Sequence, residues 1–298
     1  MEEIVQYLKP EVVAQLSSME LRARLVVEGF ITGLHRSPYH GFSVEFSEHR
    51  QYMPGDEIKH IDWKAYGKTQ RYYVKQFEEE TNLKAYLIVD ASRSMGYASP
   101  GHLSKLTYAS YIAAALAYLM MEQRDAVGLV VYAEALKLYQ PPRAAKPYLR
   151  QLLGELQRLV PQGATNTAAT LHEIAERIKR RGLVVLLSDL FDDPDSVLTA
   201  LKHFRHKGNE VLVLHIVDPL ERSFAFGADA VFRDMETAEE LTTQPWHIQE
   251  SYQKAFGRFL GRLRSECREN RIDHVLLDTS TPFDQALFEY LNTRRRMP

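Results

Sequence analysis

The sequence predicts an α/β fold: a doubly wound, mostly parallel six-stranded sheet with helices on both faces, preceded by an amino-terminal helical and β extension. Three observations predict it. From Leu83 onward, apolar strand-like runs alternate with helical stretches, the pattern of a parallel sheet covered by helices. The runs at 85–89 and 183–188 are short and apolar, as suits strands buried on both faces. Both run into an aspartate, Asp90 and Asp189, where open α/β sheets place their ligands. The chain therefore divides into an amino-terminal segment, 1–80, and a sheet domain, 81–298.

Within the first segment, 11–16 and 19–33 read as helices. Pro10 suits a first helical turn, and Ser17 or Ser18 suits a cap. The stretch 35–41 with Pro38 is a break, 42–46 and 72–77 alternate like half-buried strands, and Pro54-Gly55-Asp56 is a turn. In the sheet domain, 104–123 is a helix whose Leu106, Ala109, Ala113, Leu116 and Met120 step by threes and fours. Strand 126–132 follows, and 135–139, after a tight connection, is expected as an antiparallel edge. Helices are expected at 147–159, 167–180, 194–205, 246–269 and 282–290, and strands at 210–217 and 274–277. A small hairpin is expected at 231–242 and a frayed tail at Arg294-Arg-Arg296. Right-handed connections give the strand order 3-2-1-4-5-6, counted from Leu83, which sets the Asp90 and Asp189 strands side by side.

Bulk properties narrow the function. The 298 residues are 45% hydrophobic and 26% charged, an ordinary globular composition, and a net charge of −2 gives no global preference for nucleic acid. The single cysteine, Cys267, excludes an intramolecular disulfide framework and a cysteine-built zinc site, and fits a reducing cytosol. The acidic start lacks the features of a secretory signal, and the longest apolar run, 112–121, is only about half a membrane span. A soluble, cytoplasmic protein is expected.

The candidate site is built from oxygen. Asp90, Ser92 and Ser94 alternate just past a buried strand, Asp189 ends the neighbouring strand, and the loop Gly163-Ala-Thr165-Asn-Thr167 leads to the same edge. Two carboxylates and three hydroxyls favour a hard cation, Mg2+ or else Mn2+ or Ca2+, over zinc or copper. So few charges leave the ion electrophilic, with an open position that a partner's carboxylate could fill. Asp90-x-Ser92-x-Ser94 alone is better read as a strand-to-helix turn, and Asp189 or Thr165 alone could be a helix cap. Their combination points to an ion.

The same three elements resemble the metal-ion-dependent adhesion site of von Willebrand factor A domains. That resemblance implies direct metal contacts from Ser92, Ser94 and Thr165, with Asp90 and Asp189 acting through water. Upstream, Gly41-Phe-Ser-Val-Glu-Phe46, Arg50-x-Tyr52-x-Pro54-Gly55-Asp56 and Ile61-Asp62-Trp63-Lys64 resemble the bacterial domain-of-unknown-function family 58, as does the carboxy-terminal hairpin with Asp234-Met-Glu-Thr. Members of that family carry this A-type domain and commonly accompany MoxR-type AAA+ ATPases. The resemblance implies a non-enzymatic interaction module for such an ATPase or its substrate.

Other readings have less in the sequence. A metal-dependent phosphohydrolase could use Asp90 as nucleophile, but Ser92 stands where an acid is commonly needed and no evident phosphate-clamping lysine motif is present. Nucleotide binding lacks both Gly-x-Gly-x-x-Gly and Gly-x-x-x-x-Gly-Lys. Arg50, Asp56, Asp62 and Trp63 suit a packed joint with paired charges, and His35, Arg36 and His40 a solvated loop. His203 and His206 lie at helical spacing, with no acidic or sulfur partner to complete a metal set. Cys267 reads as structural.

Overall fold

The computed structural model describes residues 10–14, 17–36, 50–51, 66–67, 70, 72–74, 83–164, 166–226, 230–233, 235 and 240–295. Helices α1 (Pro10–Ala14) and α2 (Met19–Arg36) come first, and a two-residue ladder pairs β1 (Arg50–Gln51) with β2 (Tyr73–Val74). The expected strand at 42–46, the Pro54-Gly55-Asp56 turn, the joint at Trp63 and the side chains of His35, Arg36 and His40 lie outside the described residues.

The sheet domain runs β3 (Lys84–Asp90), a 3-10 turn (Arg93–Gly96), α3 (Lys105–Glu122), β4 (Ala126–Tyr132), β5 (Leu136–Arg143), α4 (Lys146–Gln157), α5 (Thr167–Arg177) and β6 (Leu183–Ser188). It continues through α6 (Pro194–His206), β7 (Glu210–Val217), α7 (Pro219–Ser223), β8 (Ala230–Arg233), β9 (Glu240–Thr243), α8 (Pro245–Glu269), β10 (Asp273–Asp278) and α9 (Asp284–Arg295). The six-stranded sheet has the order β10-β7-β6-β3-β4-β5, which is 3-2-1-4-5-6 read from the other edge. All its pairs are parallel except β4–β5, the expected antiparallel edge.

Because side chains alternate across a strand, each strand feeds two cores. Leu87, Val89, Val185, Leu187, Leu212 and Leu214 face one core with α2, α3, α4 and α9. Ile88, Val130, Val184, Leu186 and Val213 face the other, with α5, α6 and α8. Helix α3 is buried almost all round, since α2 packs over its outer side and inserts Val26, Val27 and Phe30 into the first core. The described helices of the amino-terminal segment thus share the core of the sheet.

Several boundaries differ from expectation. Helix α2 runs on to Arg36, three residues past its expected end and into the expected break at 35–41. Strand β5 runs on through Pro141 and Pro142 to Arg143, because an edge strand tolerates prolines that donate nothing to the ladder. Helix α5 stops at Arg177, three residues short. Helix α9 continues to Arg295, beyond the expected end at residue 290 and into the expected frayed tail, with Tyr290 and Leu291 buried.

Candidate metal centre

Strand β3 delivers Asp90 and β6 delivers Ser188 and Asp189 to one edge. Val89 lies opposite Leu187 in the parallel ladder, so the two strand ends are level. After Asp90 the chain turns at once: Ser92 N–H donates to Asp90 Oδ1 at 2.9 Å, and Ser92 caps the 3-10 turn that carries Ser94. The two serine hydroxyls stand 3.1 Å apart. Asp90, Ser92 and Asp189 are fully buried, and Ser94 is half-buried.

The structure brings together Asp90, Ser92, Ser94 and Asp189. Thr165 lies outside the described residues, but the loop before it does reach this edge: Arg93 N–H donates to Gly163 O at 3.1 Å and Gln162 N–H to Ala91 O at 3.0 Å. Gly163 has φ +81°, a left-handed conformation that glycine adopts without strain. Thr167, the next threonine, is buried, and its hydroxyl has no hydrogen-bond partner among the described residues.

The surroundings contain groups that sequence reasoning missed. Asp90 Oδ2 accepts from Ser188 Oγ at 2.7 Å and from the Tyr132 hydroxyl at 3.2 Å. Lys105, at the first position of α3, is fully buried and donates to Asp189 Oδ2 at 2.8 Å and to Glu221 Oε1 at 2.6 Å. Its ammonium also lies 4.8 Å from the centre of the Phe191 ring. A buried lysine eighty-four positions from its partner leaves no local trace, and the lack of a phosphate-clamping motif did not reveal that a lysine reaches this edge. Ser188, one residue before the predicted Asp189, was the legible omission.

Burial, and then the charge of Asp189, push the Asp90 carboxyl up to about 6. Burial acts on Asp189 in the same sense. There, however, the Lys105 ammonium outweighs it, aided by Ser94 and by Phe191 N–H, and holds Asp189 below the usual carboxylate range. Burial works against the charge on Lys105, but Asp189 and Glu221 keep it protonated. Beyond Asp189 the chain turns through Leu190, a branched residue at φ 54°, whose N–H is held by Ser188 Oγ at 3.0 Å. The nearby cap is Asp193, which accepts from Ser196 N–H at 2.9 Å to start α6, so Asp189 is not a helix cap.

The donors here are oxygens, and among the described residues Lys105 is the buried cation beside them. Among the described residues no group of three or more His, Cys, Asp or Glu side chains is placed to hold a metal, so an ion here needs the serine hydroxyls. On α6, His203 does have an acidic partner, distant in sequence, yet no metal set results among the described residues. His203 gains long-range partners, Glu176 at 2.9 Å and His172 at 3.1 Å, which occupy both of its ring nitrogens. Cys267 is buried, and burial pushes its thiol up to about 12, as expected of a structural cysteine. No helix among the described residues is long and apolar enough to cross a membrane.

Comparison with known proteins gives a family. The profile described as protein of unknown function DUF58 matches residues 48–258. The uncharacterized protein Rv1480 of Mycobacterium tuberculosis is 26% identical over 231 residues, which cover 76% of this chain and 72% of that protein. The uncharacterized protein Mb1516 of Mycobacterium bovis matches to the same extent, at 26% over 231 residues, 76% of this chain and 72% of its own. Among solved structures, the conserved hypothetical protein BatB from Bacteroides thetaiotaomicron is similar over 72% of this chain and 100% of its own, with 15% identity and a TM-score of 0.48. An aerotolerance-related membrane protein from Bacteroides fragilis is similar over 70% and 98%, with 19% identity and a TM-score of 0.47. The profile match covers well over half of the sequence, and the chain belongs to the DUF58 family.

Proposed function

We propose that this chain is a magnesium-dependent protein-interaction module of the von Willebrand factor A type. It would dock an acidic side chain of a partner onto an ion held by Ser92, Ser94 and Thr165, with Asp90 and Asp189 behind them. A MoxR-type AAA+ ATPase, or its substrate, in the cytoplasm is the partner this reading favours.

One observation carries it, the spacing of the serine hydroxyls. Magnesium is octahedral with oxygens at 2.0–2.1 Å, so neighbouring ligands stand about 2.8–3.0 Å apart. Ser92 Oγ and Ser94 Oγ, hydrogen-bonded at 3.1 Å, stand close to the length of one edge of that octahedron.

The competing phosphohydrolase reading gains Lys105 as a possible phosphate partner, yet Asp90 makes a poor nucleophile. Both its oxygens accept hydrogen bonds and the residue is fully buried. The test is Mg2+ titration calorimetry together with capture of partners in Mg2+ and in chelator. Wild type should bind the ion and retain its partner only with Mg2+, and Ser94→Ala and Asp90→Asn should lose both. Partner capture that ignores chelator and both variants would refute docking through metal. Magnesium-dependent turnover of generic phosphate esters, abolished in Asp90→Asn, would favour the enzyme.

A further inference from the structure

We propose that Lys105 is a resident counter-cation that competes with the divalent ion for Asp189, keeping the bare site weak for metal until a partner's carboxylate joins it. This rests on the metal-site reading above and adds a residue to it. Four features of the structure support it.

Lys105 is fully buried, so its ammonium cannot be stabilised by water and depends on its two carboxylates. It is also held in place. Ser104 caps α3 one residue earlier, and the Phe191 ring covers the ammonium. The second carboxylate, Glu221, is itself fixed, because its Oε2 accepts Asp218 N–H at 2.8 Å and Asp218 caps α7. Finally, Asp189 Oδ1 is taken by Phe191 N–H at 3.2 Å and Oδ2 by Lys105 at 2.8 Å.

The charge count then sets the affinity. Asp90, Asp189 and Glu221 carry three negative charges at most, and Lys105 cancels one of them. Affinity for a hard cation rises with the net negative charge of its ligands. A carboxylate arriving from outside would restore the missing charge, which couples ion binding to partner binding in the manner of any linked equilibrium.

The test measures Mg2+ and Mn2+ affinity by calorimetry in three proteins: wild type, Lys105→Met and Glu221→Gln. Methionine keeps the length of the buried stem and removes only the charge. Lys105→Met should bind the ion roughly tenfold tighter or more. Glu221→Gln leaves Lys105 with Asp189 alone and should bind several-fold more weakly. A merely structural lysine predicts the opposite for Lys105→Met, a disordered site and weaker binding. Equal or weaker binding by folded Lys105→Met would overturn the inference. If that variant does not fold by circular dichroism, Glu221→Gln decides, and unchanged or tighter binding there overturns it. A wild type that binds neither ion at millimolar concentration defeats the metal reading itself, an outcome distinct from both.

Discussion

Ser188 Oγ donates to Asp90 Oδ2 at 2.7 Å while accepting the Leu190 N–H at 3.0 Å. One hydroxyl thus ties the end of β3 to the turn leaving β6. Ser188→Ala would leave a buried carboxylate oxygen with Tyr132 alone and a buried N–H with no acceptor. The expected loss is about 1–3 kcal/mol, since an unmet buried polar group bears its full desolvation cost. Urea unfolding at pH 7 checks it, and a midpoint equal to wild type would show the bridge to be dispensable. The same network explains the choice of Asp90→Asn over alanine in the binding test, because Asp90 accepts from three donors that alanine would strand.

His215 Nδ1 and His274 Nε2 stand 3.1 Å apart on neighbouring strands. Burial lowers His215 to about 3, with the neighbouring His274 adding to the effect. Burial lowers His274 to about 4. Both lie below the unfolded value near 6.5, so between about pH 6.5 and 4 the unfolded chain binds more protons and stability falls as pH falls. Asp90, raised to about 6, works in the opposite sense over part of that range. Comparison with a variant isolates the pair: His274→Gln should lose less stability between pH 7 and pH 5 than wild type does. Identical losses in both proteins would count against a neutral histidine pair.

Gly182 enters β6 with its Cα against the neighbouring strand. A Cβ there would lie 2.0 Å from the Lys84 carbonyl oxygen, and backbone has no rotamer by which to yield. Gly182→Ala should cost about 1–3 kcal/mol as an overpacked site, readable as a lower thermal midpoint. A variant as stable as wild type would mean that β3 and β6 can separate locally.

Ser104 accepts Thr107 N–H at 3.2 Å and so starts α3 just before Lys105. Ser104→Ala should cost about 1 kcal/mol, and Ser104→Gly only a few tenths. Equal effects of the two substitutions in urea would show that the cap is not what holds this end.

The sheet was legible because strand burial writes itself into composition. Strands β4, β6 and β7, buried except for the first residue of β4 and of β7, were bounded to the residue, because a short apolar run between polar breaks marks a buried strand. Asp90, Ser92, Ser94 and Asp189 were legible for the opposite reason, as polar residues breaking a buried pattern. What stayed hidden depends on pairing between distant residues. Lys105 reads as the first residue of a helix, and nothing nearby distinguishes it from a solvated lysine. Tyr132 reads as the end of a buried strand, and its hydroxyl partner lies forty-two positions away. The short α7 was missed because five residues show no helical period, although its Asp218–Glu221 capping box was there to be read.

Strand β5 closes one side of the sheet with Pro141 and Pro142 at its outer end. Proline offers no N–H, and the Pro141 carbonyl is already taken by the Tyr148 hydroxyl at 2.7 Å. A foreign strand approaching there meets two residues without an N–H, so this end of the border is a poor template for backbone pairing.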